Sequence, residues 1–221
     1  MGISKMHDTM KRFLILSAAA LLAVSCFRGP VVSRNLDLRD FTAVRVADGA
    51  DVTFTQTDSF SVALRTRKGV IDTVDCKVID GELYIGTKGH QPLGARKFSL
   101  EVSAPVLSRV HVMEASSFSG GCSSDENLTV SAEKTGKVSL DGVRCKNLYI
   151  LFPGTGTVSA RNLDVRNCLK VKMDEPGTLK LGGSTSDAVF EVNAPGSIDA
   201  RGLKASGNVR RKTSGGAKIK M

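Results

Sequence analysis

The residues that could do chemistry are scattered along the chain and form no catalytic pattern. Glycoside cleavage needs two carboxylates that face one substrate bond. Asp174 and Glu175 are adjacent, but Pro176-Gly177 follows them and places them in a turn, where acidic side chains are commonly solvated. His90 and His111 have no serine or cysteine nucleophile motif beside them. We therefore predict a protein that is not an enzyme and uses no cofactor.

Four cysteines follow Cys26, and their spacing argues against a zinc site. They stand 46, 23 and 23 residues apart, with no Cys-x-x-Cys pair: Cys76, Cys122, Cys145 and Cys168. An even count permits disulfides in an oxidising compartment. The alternation of flanking residues instead predicts that Cys145 stacks on Val165 and that Cys168 lies under Leu148, both facing inward. The sequence is compatible with free buried thiols and with disulfides.

Basic and aromatic side chains at outward strand positions are the candidates for ligand binding. The four singled out are Tyr149, Lys170, Lys172 and Lys180. Two outward rows are expected: Thr129, Tyr149, Lys170 and Glu191 in one, and Lys137, Thr157, Thr178 and Ser197 in the other. Such a surface fits an acidic glycan or an anionic partner, and the alternative is that its charges serve solubility alone.

The first 25 residues are predicted to be a secretory signal peptide. Lys11-Arg12 precedes an apolar run from Phe13 to Val24, which is shorter than the roughly 20 residues that span a bilayer. The run ends at Cys26 in a sequence like a bacterial lipobox, although Ala23 stands where leucine is commonest. We expect a lipid on Cys26 that anchors the protein in the outer membrane, and a linker over residues 26–36. The start codon could be Met1, Met6 or Met10.

Composition limits which partners the chain is expected to bind and which side chains can form its core. The chain has 31 basic and 22 acidic residues, and loss of the first 25 residues leaves a net charge of +7. Nucleic acid is not an expected partner, because the chain is exported and has no recognisable nucleic-acid-binding module. The hydrophobic share of 41% excludes wholesale disorder, and the aromatic share of 5% requires a core of aliphatic side chains.

Residues 37–105 show an irregular β pattern. Short segments alternate apolar and polar residues, for example Val44-Arg45-Val46 and Val52-Thr53-Phe54. Asp80-Gly81 separates two such segments and is a strong hairpin signal, because both turn positions favour positive φ.

Residues 106–221 show a repeat of about 20 residues. Glycine recurs at spacings of 20, 21, 19 and 19 residues, with apolar residues two and four places later: Gly136, Gly156, Gly177, Gly196 and Gly215. Ser116 takes the glycine position one step earlier. Three short strands fit into each unit, and stacked units would bury their apolar faces together. We predict an all-β, single-stranded parallel β-helix with three short strands per turn; the alternative is an antiparallel sandwich.

Three features resemble the auto-transporter adhesin head, or GIN, domain, which is abundant in lipoproteins of Bacteroidota. They are the segment from Phe41 to Gln56, the hairpin strand Gly81-Glu82-Leu83-Tyr84-Ile85 and the later glycine repeats. The resemblance covers residues 37–221 and departs from the family at Ser116, where glycine is usual. It implies one right-handed β-helix domain and an adhesin label, without catalytic residues to carry over.

These observations predict a cell-envelope lipoprotein that acts as an adhesin or binds a ligand. The alternative is a periplasm-facing structural or assembly protein, which the basic Arg28 just after Cys26 favours, since surface-exported lipoproteins often carry acidic residues there. The expected partners are the membrane, through Cys26, and a glycan or envelope protein. A homodimer through the C-terminal strand is a further expectation.

Overall fold

The computed structural model describes residues 29–91 and 97–221. The predicted signal peptide and Cys26 lie outside the described residues. Strands account for 65% of the described residues. The strands are β1 Val31–Leu36, β2 Ala43–Val46, β3 Asp51–Gln56, β4 Ser61–Arg67, β5 Val74–Ile79, β6 Glu82–Thr87, β7 Ser99–Ala104, β8 Arg109–Val112, β9 Ser117–Gly121, β10 Asn127–Ala132, β11 Lys137–Asp141, β12 Arg144–Phe152, β13 Gly156–Met173, β14 Gly177–Val192, β15 Gly196–Ala205, β16 Val209–Thr213 and β17 Lys218–Lys220. Two 3-10 turns, Ile71–Thr73 and Lys88–His90, flank β5 and β6.

The strands stack into a parallel β-solenoid of about five turns with three faces. Face A contains, in spatial order, β5, β6, β2, β8, β10 and the first-strand segments of the later turns, and it ends at β16. Face B runs from β1 through β4, β7, β3, β9 and β11 to β17. Face C is shorter and is built from parts of β12, β13, β14 and β15. The predicted fold class is confirmed.

The glycine repeat has a packing cause. Gly156, Gly177 and Gly196 lie directly beside one another in adjacent turns, at the corner between face A and face B. A Cβ on Gly156 would stand 2.7 Å from the Cβ of Ala132, at the end of the preceding face A strand. Since real Cβ atoms do not approach so closely, only glycine fits where the chain turns over the previous coil.

Ser116 departs from this glycine pattern because its side chain has a partner. Ser116 is fully buried, and its Oγ accepts a hydrogen bond from the backbone N–H of Gly49 at 3.1 Å. Gly49 belongs to the turn between β2 and β3, which lies against this coil. The serine therefore joins the first regular coil to the N-terminal part of the domain.

The core consists of aliphatic stacks that run along the solenoid. On face B, Val138, Val158, Leu179 and Ile198 occupy equivalent positions in successive turns and are at most 2% exposed. On face A the stack is Leu128, Leu148, Leu169 and Ala188. Each backbone bonds to the turns on either side, so one coil needs its neighbours both for its core and for its hydrogen bonds.

The predicted register is wrong in one turn, by two residues. Leu169 lies beside Ala188, and Phe190 lies beside Val171 rather than Leu169. Glu191 is therefore adjacent to Lys172 in register, while Lys170 is adjacent to Val189. A shift of two residues leaves the inward and outward alternation unchanged, so the sequence pattern could not detect it.

Two related expectations also need correction. Cys168 lies beside Asn147 instead of Leu148 and is only half-buried, because β13 carries an irregularity between Val165 and Cys168. Ser184 and Ser186 predict an interruption of the third strand in their turn, but Gly183 pairs with Leu163 and Thr185 with Val165, so the strand continues there.

The N-terminal part closes one end of the solenoid. β2 lies between β6 and β8, and β3 lies between β7 and β9, so the order in space differs from the order in sequence. Antiparallel β1, β4 and β5 cover the outer edges. β1 occupies residues 31–36, which the sequence assigned to a linker. The predicted hairpin is confirmed: β5 and β6 are joined at Asp80, φ 50°, and Gly81, φ 75°.

Candidate ligand-binding surfaces

The structure brings three of the four predicted binding residues together on face A. Tyr149 and Lys170 are adjacent in register, and Lys172 lies two residues further along the same strand. Both lysines are engaged in ion pairs, Lys170 Nζ with Glu191 Oε1 at 3.0 Å and Lys172 Nζ with Asp174 Oδ2 at 2.9 Å. The hydrogen bond to Asp174 raises the pKa of Lys172 and lowers that of Asp174. This surface is therefore close to electrically neutral.

Lys180 lies on a different face. It projects from β14 on face B, between Ser159 and Asp199 in register. Asp199 accepts two hydrogen bonds from the guanidinium of Arg201, at 2.9 and 2.8 Å, and these bonds lower its pKa. The predicted set of three lysines is thus divided between two faces and cannot contact one small ligand.

The second outward row predicted from the sequence is present. Lys137, Thr157, Thr178 and Ser197 are adjacent in successive turns. They border an open groove of about 580 Å³ along the corner between face A and face B. The corner glycines and prolines form much of its wall, so the groove offers hydroxyl groups and backbone but few charges.

The C-terminal end of the solenoid is strongly basic. After Asp199 the chain contains seven basic residues and no acidic one: Arg201, Lys204, Arg210, Arg211, Lys212, Lys218 and Lys220. Arg201 pairs with Asp199, and the other six form no ion pair with any residue in the described part of the chain. All five residues of β16 are exposed. Unneutralised positive charge is concentrated where the last coil leaves its outer edge open.

A second polar site lies on face A at the N-terminal end, and the sequence analysis missed it. A cleft of about 420 Å³ is lined by Arg45, Lys77, Glu82, Tyr84, His90 and Arg109, together with hairpin residues. Glu82, Ala43 and Arg109 are adjacent across β6, β2 and β8, and Tyr84 and Arg45 form the next row. The short side chain of Ala43, between two long ones, leaves room for the cleft.

Asp48 lies beneath this cleft with its side chain fully buried. Its Oδ2 accepts hydrogen bonds from the Thr87 backbone N–H at 2.8 Å, from Thr87 Oγ1 at 3.0 Å and from the Tyr84 hydroxyl at 3.5 Å. Gly86 permits this approach, because a Cβ there would stand 2.8 Å from Asp48 Oδ2 and would overlap the Tyr84 hydroxyl. Burial and the Asp48 charge raise the pKa of Tyr84 to about 12, so the hydroxyl keeps its proton.

Two orphaned oxygen atoms lie in this region, one on Glu82 in the cleft wall and one on Asp48 beneath Tyr84. In the described residues, three buried side-chain oxygens have no hydrogen-bond partner, and two of them are Asp48 Oδ1 and Glu82 Oε1. The other oxygen of Glu82 accepts a bond from Arg45 Nε at 2.8 Å. The signal available in the sequence was Asp48-Gly49 next to a strand, which is an ordinary turn pattern. The pairing of β2 with β6 brings Asp48 to Tyr84 and Arg45 to Glu82, and the sequence alone does not show this pairing.

A family model described as "Putative auto-transporter adhesin, head GIN domain" matches residues 40–221. The chain belongs to this family. No curated protein matches it. The GIN domain therefore covers nearly everything that follows the predicted linker, and the family resemblance seen in the sequence is confirmed.

Several solved structures resemble this chain at low sequence identity. A putative adhesin from Bacteroides fragilis is 16% identical, with a TM-score of 0.64 over 87% of this chain and 97% of that one. A putative adhesin from Parabacteroides distasonis is 14% identical, with a TM-score of 0.49 over 83% and 98%. A putative lipid binding protein from the same species is 13% identical, with a TM-score of 0.46 over 84% and 98%.

Within the described residues, neither histidine of this GIN domain hydrogen-bonds to a serine or a cysteine. His90 Nδ1 lies 3.0 Å from the Tyr84 hydroxyl, and His111 Nε2 lies 3.2 Å from Glu133 Oε2. Across residues 29–91 and 97–221, no three His, Cys, Asp or Glu side chains are arranged to hold a metal ion. The described residues also include no helix long and apolar enough to cross a membrane.

All four cysteines of the GIN domain are free thiols in the structure. Cys145 is fully buried beside Val165, as predicted. Burial raises the pKa of Cys122 to about 12 and that of Cys145 to about 11. These thiols fill the aliphatic core and are poor nucleophiles near neutral pH.

Proposed function

We propose that this GIN-domain protein is a non-enzymatic, lipid-anchored adhesin of the bacterial outer membrane that binds an anionic polymer through the C-terminal end of its solenoid. The observation that carries the proposal is the absence of acidic residues after Asp199, where seven basic residues follow. The family supports the role of adhesin. The lipid anchor rests on Cys26 and the apolar run before it.

The charge distribution favours this end over the lysines predicted from the sequence. Lys170 and Lys172 are neutralised by Glu191 and Asp174. On β16, by contrast, Arg210, Arg211 and Lys212 are exposed and have no acidic partner among the described residues. A surface of one sign attracts a polymer of the opposite sign, and salt weakens the attraction. Acidic glycans provide such a polymer at a cell surface.

Removal of the three charges on β16 should weaken retention on anionic polysaccharide. For the variant R210Q/R211Q/K212Q we expect an affinity loss on the order of 100-fold at low salt, taking about 1 kcal/mol for each cation at an anionic surface. The measurement is the salt concentration at which the full chain elutes from immobilised heparin and from immobilised polygalacturonate.

The matched control is K170Q/K172Q/K180Q, which removes the same number of charges from faces A and B. We expect it to elute close to the unmodified protein. If the control variant loses as much retention as the β16 variant, net charge alone drives retention. If neither variant changes it, the C-terminal end is not the binding surface.

An assembly role in the envelope is the second candidate, and the open end of the solenoid favours it. Among the residues that the structure describes, β16, β17 and the last part of β15 have strand partners on one side only. An open edge can accept a further strand from another protein. Two copies meeting through these ends would bring like charges together, so this candidate requires a different, acidic partner.

A further inference from the structure

We propose that the cleft on face A at the N-terminal end binds a neutral saccharide. This goes beyond the proposed function, because the site, its chemistry and its ligand differ from those of the basic C-terminal end. The cleft of about 420 Å³ falls within the size range of small-ligand sites and can hold one or two sugar rings.

The hydrogen-bonding groups of the cleft fit hydroxyl groups. Glu82 lines the cleft, and its Oε1 is buried without a donor while Oε2 is occupied by Arg45. An unsatisfied buried carboxylate oxygen is costly, and a ligand that brings an O–H donor removes this cost. Arg109, on the opposite side of the same row, and Arg45, in the next row, offer donors to sugar oxygens.

Tyr84 supplies an aromatic surface at a fixed position. Its ring is half-buried, with the Lys77 ammonium 5.3 Å from the ring centroid and the His90 ring edge-on at 5.9 Å. Its hydroxyl is directed at Asp48 Oδ2 and lies 3.0 Å from His90 Nδ1. A tyrosine held in this way costs little conformational entropy when a sugar ring packs against it.

The charge balance favours a neutral ligand over an ionic one. Arg45, Lys77 and Arg109 contribute three positive charges at the cleft, and Asp80, Glu82 and the buried Asp48 contribute three negative ones. A strongly anionic polymer therefore gains little here. The orphaned oxygen in the cleft wall, Glu82 Oε1, requires a hydrogen-bond donor rather than an acceptor.

The tyrosine content of the chain allows a direct test. The protein has two tyrosines and no tryptophan, so the variant Tyr149→Phe leaves Tyr84 as the single strong fluorophore. We would titrate the full-length variant with trisaccharides of glucose, galactose, mannose and N-acetylglucosamine. We expect at least one to change the Tyr84 emission with a dissociation constant on the order of 1 mM or lower.

A second substitution identifies the contact. Glu82→Gln in the same background should weaken the binding about 10-fold, while the matched control Glu101→Gln, an exposed glutamate on β7, should leave it unchanged. Saturation-transfer NMR on the unmodified protein should place sugar ring protons against the aromatic ring. An unaltered urea midpoint would show that Glu82→Gln folds normally.

Two results would overturn the proposal. One is that no trisaccharide changes the Tyr84 emission or gives a saturation-transfer signal. The other is that binding is equally strong in Glu82→Gln. The retention of Glu82→Gln on heparin, measured in parallel, reports on the C-terminal end alone, so either proposal can fail without the other.

Discussion

Buried thiols make the alkaline stability of this protein sensitive to pH. Cys122 is 4% exposed and Cys145 is fully buried, and burial raises their pKa values from 9.0 to about 12 and about 11. In the unfolded chain both thiols ionise near pH 9. Because the folded state holds these protons more tightly, their contribution to stability is fully present below pH 9. It is lost as the pH rises from 9 to about 11 for Cys145 and to about 12 for Cys122.

We expect the double variant C122A/C145A to lose less stability than the unmodified protein between pH 8.5 and 10. The difference should be about 1 kcal/mol for each thiol at pH 10. Urea denaturation across this pH range measures it, with the half-buried Cys168→Ala as the comparison. Equal slopes in the variant and the unmodified protein, or fewer than four free thiols in unreduced denatured protein, would contradict the assignment.

Asp48 shows at the residue scale why the cleft could not be found from sequence. An aspartate before glycine is typical of an exposed turn, and its φ of 59° fits that expectation. Yet Asp48 is 1% exposed, because β6, which is distant in sequence, packs beside β2 and presents Thr87 and Tyr84 to it. Contacts between distant segments carry no local signal.

At the scale of the single coil, the corner glycines should tolerate no side chain. Gly156→Ala should destabilise the protein by about 1–3 kcal/mol, because the new Cβ would meet Ala132 in a packed core. Gly182→Ala is the matched control, since a Cβ there would stand 3.7 Å from the nearest atom, the Gly202 carbonyl oxygen. We expect that change to stay within about 0.5 kcal/mol.

Chemical denaturation of both glycine variants checks this prediction. Equal destabilisation would mean that backbone freedom, rather than the contact with the preceding coil, selects glycine at these corners. The sequence predicted the position of these corners from spacing alone. It did not predict which atoms they touch.

At the scale of the strands, the sequence predicted the alternation of side chains along each strand, but it did not always predict the order of the strands in space. The hairpin of β5 and β6 and the stacking of the regular coils followed from local patterns. The position of β2 between β6 and β8 did not follow from local patterns. Any two strands that alternate apolar and polar residues can pair with their apolar faces on the same side, so alternation does not identify the neighbours. The same ambiguity produced the two-residue error at Phe190.

The whole molecule has two chemically different ends. β1 lies at one edge of face B and β17 at the other. Four residues lie between Cys26 and Val31, so the five backbone steps between them span at most about 17 Å. A lipid on Cys26 would therefore hold the capped N-terminal end near the membrane, and the basic end would point away from it, toward ligands.

We expect trypsin added to intact cells to remove the C-terminal residues at the exposed Arg210-Arg211-Lys212 segment, as surface display requires. Loss of a C-terminal epitope measures the cleavage, and an intact periplasmic marker protein shows that the cells are sealed. Cys26→Ala should release the protein from the membrane fraction. Protection from trypsin until lysis would favour the periplasmic assembly role instead.

The sequence by itself determined the repeat, the all-β class, the family and the inward stacks, because each of these depends on residue type at a regular spacing. Tertiary structure decided which charges are neutralised and which polar groups meet. Lys170 pairs with Glu191 and Asp48 with Thr87 across distances that no local pattern encodes. Both candidate sites depend on those pairings, and for this reason neither consists of the residues first chosen from the sequence.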